Sequence, residues 1–214
     1  MLSMLNWTFL IAFLTAASVC AQTADQLEAH GVAVANASYQ GKNGVRIDAS
    51  PAAGNGQSYA ILKGSRFHNG TIEVDLAGKP AANAPAGARG FIGIAFRMRG
   101  NRYEYIYLRP TNGRADDQVR RNHSTQYGAA PDYDYDRLRR ESPEKYESYV
   151  DLEPGVWTHY RIVIDGTKAR LYVHNASQPC LIVDDLKLGD SEGAVALWVG
   201  PGTEGYFANL KIGQ

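Results

Sequence analysis

An all-β sandwich of antiparallel strands is the fold this sequence predicts, on two observations. Apolar residues recur with a period of two in one segment after another, and clusters of turn residues separate those segments. Ile72, Val74 and Leu76 alternate with Thr71, Glu73 and Asp75. Ile92, Ile94 and Phe96 alternate with Phe91, Gly93, Ala95 and Arg97, and Ile106 and Leu108 alternate with Tyr105, Tyr107 and Arg109. Further on, Tyr160, Ile162 and Ile164 alternate with His159, Arg161 and Val163, Leu171 and Val173 with Arg170, Tyr172 and His174, and Val195, Leu197 and Val199 with Ala196 and Trp198. Phe207, Leu210 and Ile212 close the chain, with Asn209 breaking the alternation. Between the runs stand His68-Asn69-Gly70, Arg99-Gly100-Asn101, Asp165-Gly166-Thr167 and Gly200-Pro201-Gly202, the residue types that turns require. Many short strands with turns between them are the signature of a sandwich.

Helical signal is weak. Residues 24–30 (ADQLEAH) allow one short turn, and a short helix is expected to begin near Ser142 or Pro143, since proline suits the first helical position. Residues 1–21 form an apolar run closing on small residues. Val19 and Ala21 suit the −3 and −1 positions of a signal peptidase site, so residues 1–21 read as a signal peptide and 22–214 as one domain. No second long apolar run follows, so no membrane span is expected after cleavage, and the location is secreted or periplasmic. The 22 basic and 22 acidic residues balance to a formal charge of +0, which argues against a nucleic-acid partner. With Cys20 in the signal, Cys180 stands alone and no internal disulfide forms.

The stretch 103–127, YEYIYLRPTNGRADDQVRRNHSTQY, is where function is expected. It starts as a strand and ends as a loop dense in hydrogen-bonding groups with almost nothing to bury. Loops of that kind on rigid scaffolds carry function. Residues 91–97 and 103–109 read as a hairpin. Pairing Arg97 with Tyr103 sets Ala95 opposite Tyr105 and Gly93 opposite Tyr107, large rings over small partners. Ile92, Ile94, Phe96, Ile106 and Leu108 then face the core, with Glu104 among them and in need of a partner. The other face shows Arg97, Tyr105, Tyr107 and Arg109, while Trp198 offers a further ring. Aromatic rings stack on sugar C–H faces and guanidinium forks bind hydroxyls in pairs, so this face suits carbohydrate. Asn112, Gln118, Arg120, Arg121, Gln126 and Tyr127 are expected to rim it. An ordinary solvated sheet face would also accept tyrosine and arginine.

The runs FHNGTIEVDLAG (67–78), FIGIAFR (91–97), KYESYVDLEPGVWT (145–158), PCLIVDDLKLG (179–189) and ALWVGPGTEGYFANLKI (196–212), with 103–127, give the chain a resemblance to a known family. It resembles the concanavalin A-like lectin/glucanase superfamily, in its bacterial exported branch, over nearly all of residues 22–214, and is distantly similar to the 3-keto-disaccharide hydrolase domain. The resemblance implies a jelly-roll sandwich of two antiparallel sheets, one concave and carbohydrate-facing. It does not fix activity, because the fold hosts lectins, hydrolases, lyases and plain interaction modules.

Three functions therefore stay open: glycan binding on the concave face, glycoside cleavage by a hydrolase or lyase in the same cleft, and protein interaction in the cell envelope. For cleavage, His123 would be the general acid or base, oriented by Asp116 or Asp117, with arginines stabilising developing negative charge. The laminarinase-type motif is incomplete. Glu73 and Asp75 stand on one strand face about 6.6 Å apart by strand rise, and the second glutamate is missing. Asp132, Asp134 and Asp136 lack the glycine of a calcium loop and are expected to pair with nearby arginines instead. No HExxH, paired CxxC or GxSxG occurs, so neither a metal nor a cofactor is expected. Convergence of Arg97, Arg109, Asp117 and His123 on one cavity would be the mark of a shared site.

Overall fold

The computed structural model describes residues 22–52 and 58–213; the signal peptide read over residues 1–21 lies outside them. The first half of the chain contributes β1 (Leu27–His30), β2 (Val32–Tyr39), β3 (Lys42–Ala49), β4 (Tyr59–Leu62), β5 (Gly70–Pro80), β6 (Ile92–Arg99) and β7 (Arg102–Leu108). The second half contributes β8 (Thr125–Ala130), β9 (Glu147–Ser148), β10 (Thr158–Asp165), β11 (Lys168–Val173), β12 (Leu181–Val183), β13 (Ala194–Val199) and β14 (Thr203–Gly213). They form two seven-stranded sheets, ordered β1-β4-β13-β6-β7-β8-β9 and β12-β11-β10-β5-β14-β3-β2, with every described pairing antiparallel. Among the described residues no helix is long and apolar enough to cross a membrane.

The core lies between the sheets and takes the residues that the alternation assigned to it. Ile72, Val74 and Leu76 from β5, Ile92, Ile94 and Phe96 from β6, Ile106 and Leu108 from β7, and Ile162 and Ile164 from β10 are all buried there. Each such side chain contributes roughly 1.5–3 kcal/mol by leaving water. Tyr160 also crosses the layer, its hydroxyl donating to the Ile106 carbonyl at 2.7 Å.

The hairpin forms with Gly93 opposite Tyr107 and Ala95 opposite Tyr105, as expected. Its far end differs. The register shifts between Phe96 and Arg99, Arg99 pairs with Arg102, and Arg97 takes φ 55°. A bulge adds one residue to a strand and re-aims the side chains around it, so Arg97 does not stand opposite Tyr103. A second shift, between Ala208 and Lys211 with Asn209 at φ 58°, accounts for the break in alternation on β14.

One short turn forms within 24–30 as expected, the 3₁₀ turn Ala24–Gln26, and the rest is strand β1. The helices depart from expectation. Helix α1 (Gln118–Asn122) lies inside the polar loop, and helix α2 (Tyr135–Glu141) ends just where a helix was expected to begin. Asp134 caps α2, its carboxylate accepting from the Arg137 amide at 2.8 Å, while Ser142 precedes proline and so avoids helical geometry. Pro143 stops this helix rather than starting one.

Candidate functional site

Chain segments meet at the end of the first sheet where β6 begins and β7 ends. The loop before β6 brings Gly87, Arg89 and Phe91. The segment between β7 and β8 brings Arg109, Asn112, Asp117, Val119, Arg120 and His123, and α2 brings Tyr135 and Arg139. Together they line an open cavity of about 810 Å³, within the range of ligand pockets. Gly90 sets the loop's path: it sits at φ 67°, and a Cβ there would lie 2.8 Å from the Lys79 Cα. Only glycine meets both demands.

Arg109 is the hub of this cavity and only 5% exposed. One of its terminal nitrogens donates to the Tyr107 hydroxyl at 3.0 Å and to Gln126 Oε1 at 3.1 Å. The other donates to the His123 carbonyl at 3.4 Å and stands 3.7 Å from a Glu147 oxygen. Its guanidinium carbon lies 5.5 Å from the Phe91 ring, 5.3 Å from Tyr107 and 5.5 Å from Tyr135, within cation–π reach of all three. Its Nε is buried and has no hydrogen-bond partner among the described residues.

Glu147 anchors the inner wall. It belongs to the two-residue strand β9, opposite Gln126. Arg139 grips it with two nitrogens at 2.9 and 2.5 Å, and His123 Nε2 lies 3.3 Å from its Oε1. Burial holds the His123 imidazole below its ordinary pKa. Glu147 and Glu144 pull it up, Arg139 and Arg109 push it down, and the net shift is downward. The ring is therefore neutral near pH 7. The carboxylate partner of His123 is Glu147, rather than the expected Asp116 or Asp117. Asp117 lines the cavity but serves as the α1 cap, accepting from the Arg120 amide at 2.6 Å. Asp116 is exposed outside the cavity lining.

Positive charge outweighs negative here. Arg120 is held by neutral acceptors, Asn112 Oδ1 at 3.0 Å and the Thr111 carbonyl at 3.0 Å. Arg89 donates weakly to the Ala88 carbonyl at 3.4 Å. Burial lowers the Arg89 pKa, and the nearby Arg120 and Arg109 charges lower it further.

The other residues expected at the site lie elsewhere or play supporting parts. Arg97 is fully buried away from the cavity, tying the His68 carbonyl at 2.8 Å, the Gly189 carbonyl at 3.1 Å and Asn69 Oδ1 at 2.9 Å. The bulge turns it off the tyrosine face. Tyr105, Tyr107 and Trp198 do share a face, but they pack on one another, with ring centroids 4.8–5.7 Å apart, in a second small core. At 7%, 2% and 3% exposure they offer no open platform. Tyr127 is a core residue whose hydroxyl donates to Glu104 at 2.5 Å and accepts from the Lys187 amide at 2.7 Å. Glu104 thereby gains the partner it needed, with the Leu188 amide as a second donor at 2.8 Å. Gln126 braces Arg109 from beneath. Gln118 is exposed and bonds Asn122 at 2.7 Å, and Arg121 is outside the cavity lining. Arg89, Phe91, Val119, Tyr135, Arg139 and Glu147 were not singled out by the sequence. Phe91 lies in the alternation of β6 and Val119 in the polar stretch 103–127, but nothing local marks any of the six as a site residue, and they come from segments far apart in the chain.

On the other sheet, Asp75 is consumed by structure. It accepts from Lys42 at 2.7 Å, Asn209 at 2.7 Å and His159 at 3.1 Å. Burial raises its pKa, but those three partners hold it below the usual carboxylate value. Arg161 stands 4.0 Å from Glu73. Of the DYDYD carboxylates, Asp136 pairs with Arg140 at 2.6 Å and Asp134 caps α2.

No protein-family model matches the chain, and no curated protein matches it. Solved structures match its fold. The carbohydrate-binding module CBM66 from Bacillus subtilis is 12% identical, with a TM-score of 0.56 over 87% of this chain and 97% of that one. A Bacillus subtilis protein of unknown function with a galectin-like fold is 9% identical, with a TM-score of 0.54 over 89% and 90%. The cellulose-induced protein Cip1 is 12% identical, with a TM-score of 0.50 over 90% and 89%. Two seven-stranded antiparallel sheets joined in this way make the chain an antiparallel β-sandwich, similar in fold to these structures.

Proposed function

We propose that this protein is an exported carbohydrate-binding β-sandwich, secreted or periplasmic, whose glycan occupies the cavity between the 81–91 loop, the 109–124 segment and α2. One observation carries the reading. A solvent-open cavity of about 810 Å³ is walled by two half-buried rings, Phe91 and Tyr135, beside fixed planar donors from Arg109, Asn112 and Arg120. Rings that stack on sugar faces and donors that meet hydroxyls in the same hollow are what sugar recognition requires. Structural similarity to a carbohydrate-binding module and a galectin-like fold supports the reading at the level of fold.

A glycan array probed with the protein, followed by calorimetry on the hits, tests it. Phe91→Ala with Tyr135→Ala should weaken binding at least about tenfold, the loss of roughly 1.4 kcal/mol of stacking. Absence of any glycan ligand, or binding indifferent to both rings, contradicts it.

Glycoside cleavage is a second reading, favoured by the 3.3 Å His123–Glu147 contact at the cavity wall. A neutral imidazole beside a buried carboxylate and two guanidinium groups can take a proton while negative charge is stabilised close by. His123→Ala decides it: binding kept with turnover lost marks an enzyme, and no turnover by the unaltered protein on any glycan it binds removes the reading.

A further inference from the structure

We infer that the glycan is acidic: the cavity selects a sugar bearing an anionic substituent, carboxylate or sulfate, which Arg89 and Arg120 receive beside the buried Arg109. This rests on the cavity being the glycan site.

Charge segregation is the first ground. The chain is neutral overall, with 22 basic and 22 acidic residues, yet four arginines line this one cavity. Glu147 offsets part of that charge from within, bound by Arg139 and beside Arg109. Asp117, the acidic residue in the lining, is exposed and turned to the Arg120 amide. Among the described residues, neither Arg89 nor Arg120 has a carboxylate within 4 Å, although arginines elsewhere on this surface do, as Arg114 does with Asp151 and Arg140 with Asp136.

The second ground is independent of charge counting. A buried guanidinium N–H without a partner is costly, because desolvation of a charged donor goes uncompensated. Arg109 is buried, lines the cavity and leaves its Nε unmet. Arg89 stands close enough to Arg109 and Arg120 for both to depress its pKa, so the three cations repel one another across the hollow. An anion relieves that repulsion and supplies acceptors. A hydroxyl does only the second. Carboxylate and sulfate both fit a guanidinium fork. Phe91 and Tyr135 would hold the ring that carries the group.

Calorimetry with the purified protein separates the outcomes, using oligogalacturonates and alginate oligosaccharides, carrageenan oligosaccharides as the sulfated arm, neutral galacto- and manno-oligosaccharides, and poly-glutamate as a polyanion without sugar. The expected result is a preference for an acidic over a neutral oligosaccharide of at least about tenfold, falling toward unity in Arg89→Gln. Arg140→Gln, which removes the same charge from the outer face of α2, should keep the preference. A thermal melt confirms that each variant is folded. Whether uronates or sulfated sugars bind decides which anion is read. Equal affinity for neutral and acidic oligosaccharides overturns the inference while leaving the glycan site standing. Poly-glutamate binding as well as the sugars, or a preference unmoved by Arg89→Gln, also overturns it. Binding of no oligosaccharide at all removes the glycan reading itself.

Discussion

Arg109 shows how one residue comes to serve two layers of this protein. Its terminal nitrogens reach inward to Tyr107, Gln126 and the His123 carbonyl. Its Nε is buried and unmet, while the side chain lines the cavity. The sequence marks Arg109 by its place after an alternating strand, and marks Asn112, Asp117, Arg120 and His123 by polar density in a loop. It misplaces Arg97, because a bulge at φ 55° reverses the alternation that the reading relied on. Phe91 depends on a neighbour of no apparent interest. A Cβ on Gly200 would lie 2.6 Å from the Phe91 ring, so Gly200→Ala should displace that ring. The expected cost is about 1–3 kcal/mol of overpacking in thermal unfolding, together with weaker glycan affinity. His123 gives a pH signature. Its pKa lies below the ordinary value of about 6.5, so it is neutral at pH 7 and gains charge only in more acidic solution. Glu147, Glu144, Arg139 and Arg109 are the charged groups that act on it. Affinity for an acidic oligosaccharide should therefore rise as pH falls below about 6.5, and His123→Gln should flatten that rise in calorimetry at several pH values.

At the scale of elements, the strands with long alternating runs were legible, β5, β6, β7, β10, β11, β13 and β14, while β1–β4, β8, β9, β12 and the helices were not. A strand's period of two survives in sequence because one face is buried along its whole length. Helices α1 and α2 have five and seven residues. Neither is long enough to build a recognisable apolar stripe, and each is set by a single aspartate cap. The 184–190 segment is held to the first sheet by polar ties that no periodicity announces. Tyr127 links Glu104 to the Lys187 amide. Tyr127→Phe leaves a buried carboxylate oxygen and an amide short of partners, and should cost about 1–3 kcal/mol in denaturant unfolding. Asp185 anchors the same segment. Burial raises its pKa, but hydrogen bonds from Tyr146, Lys145 and Lys187 bring it down to about 2. A depressed carboxylate stabilises the fold above its unfolded value, and that contribution disappears as pH falls through the folded one. The stability it gives should thus be lost between about pH 4 and pH 2. Asp185→Asn should remove that part of the acid-unfolding curve while lowering stability at neutral pH.

Across the whole molecule, a neutral chain concentrates cations in one hollow at one end of one sheet. That arrangement could not be read along the chain, because Arg89, Arg120 and Arg139 belong to three different segments that only the fold joins. Glu147, which braces the wall, is a residue of a two-residue strand with no sequence signal. The most direct measurement is chemical-shift mapping while a bound glycan is titrated into the labelled protein. The account predicts that the largest shifts fall on Arg89, Phe91, Arg109, Asn112, Arg120 and Tyr135. Shifts centred instead on Glu73, Asp75 and His159 of the opposite sheet would contradict it.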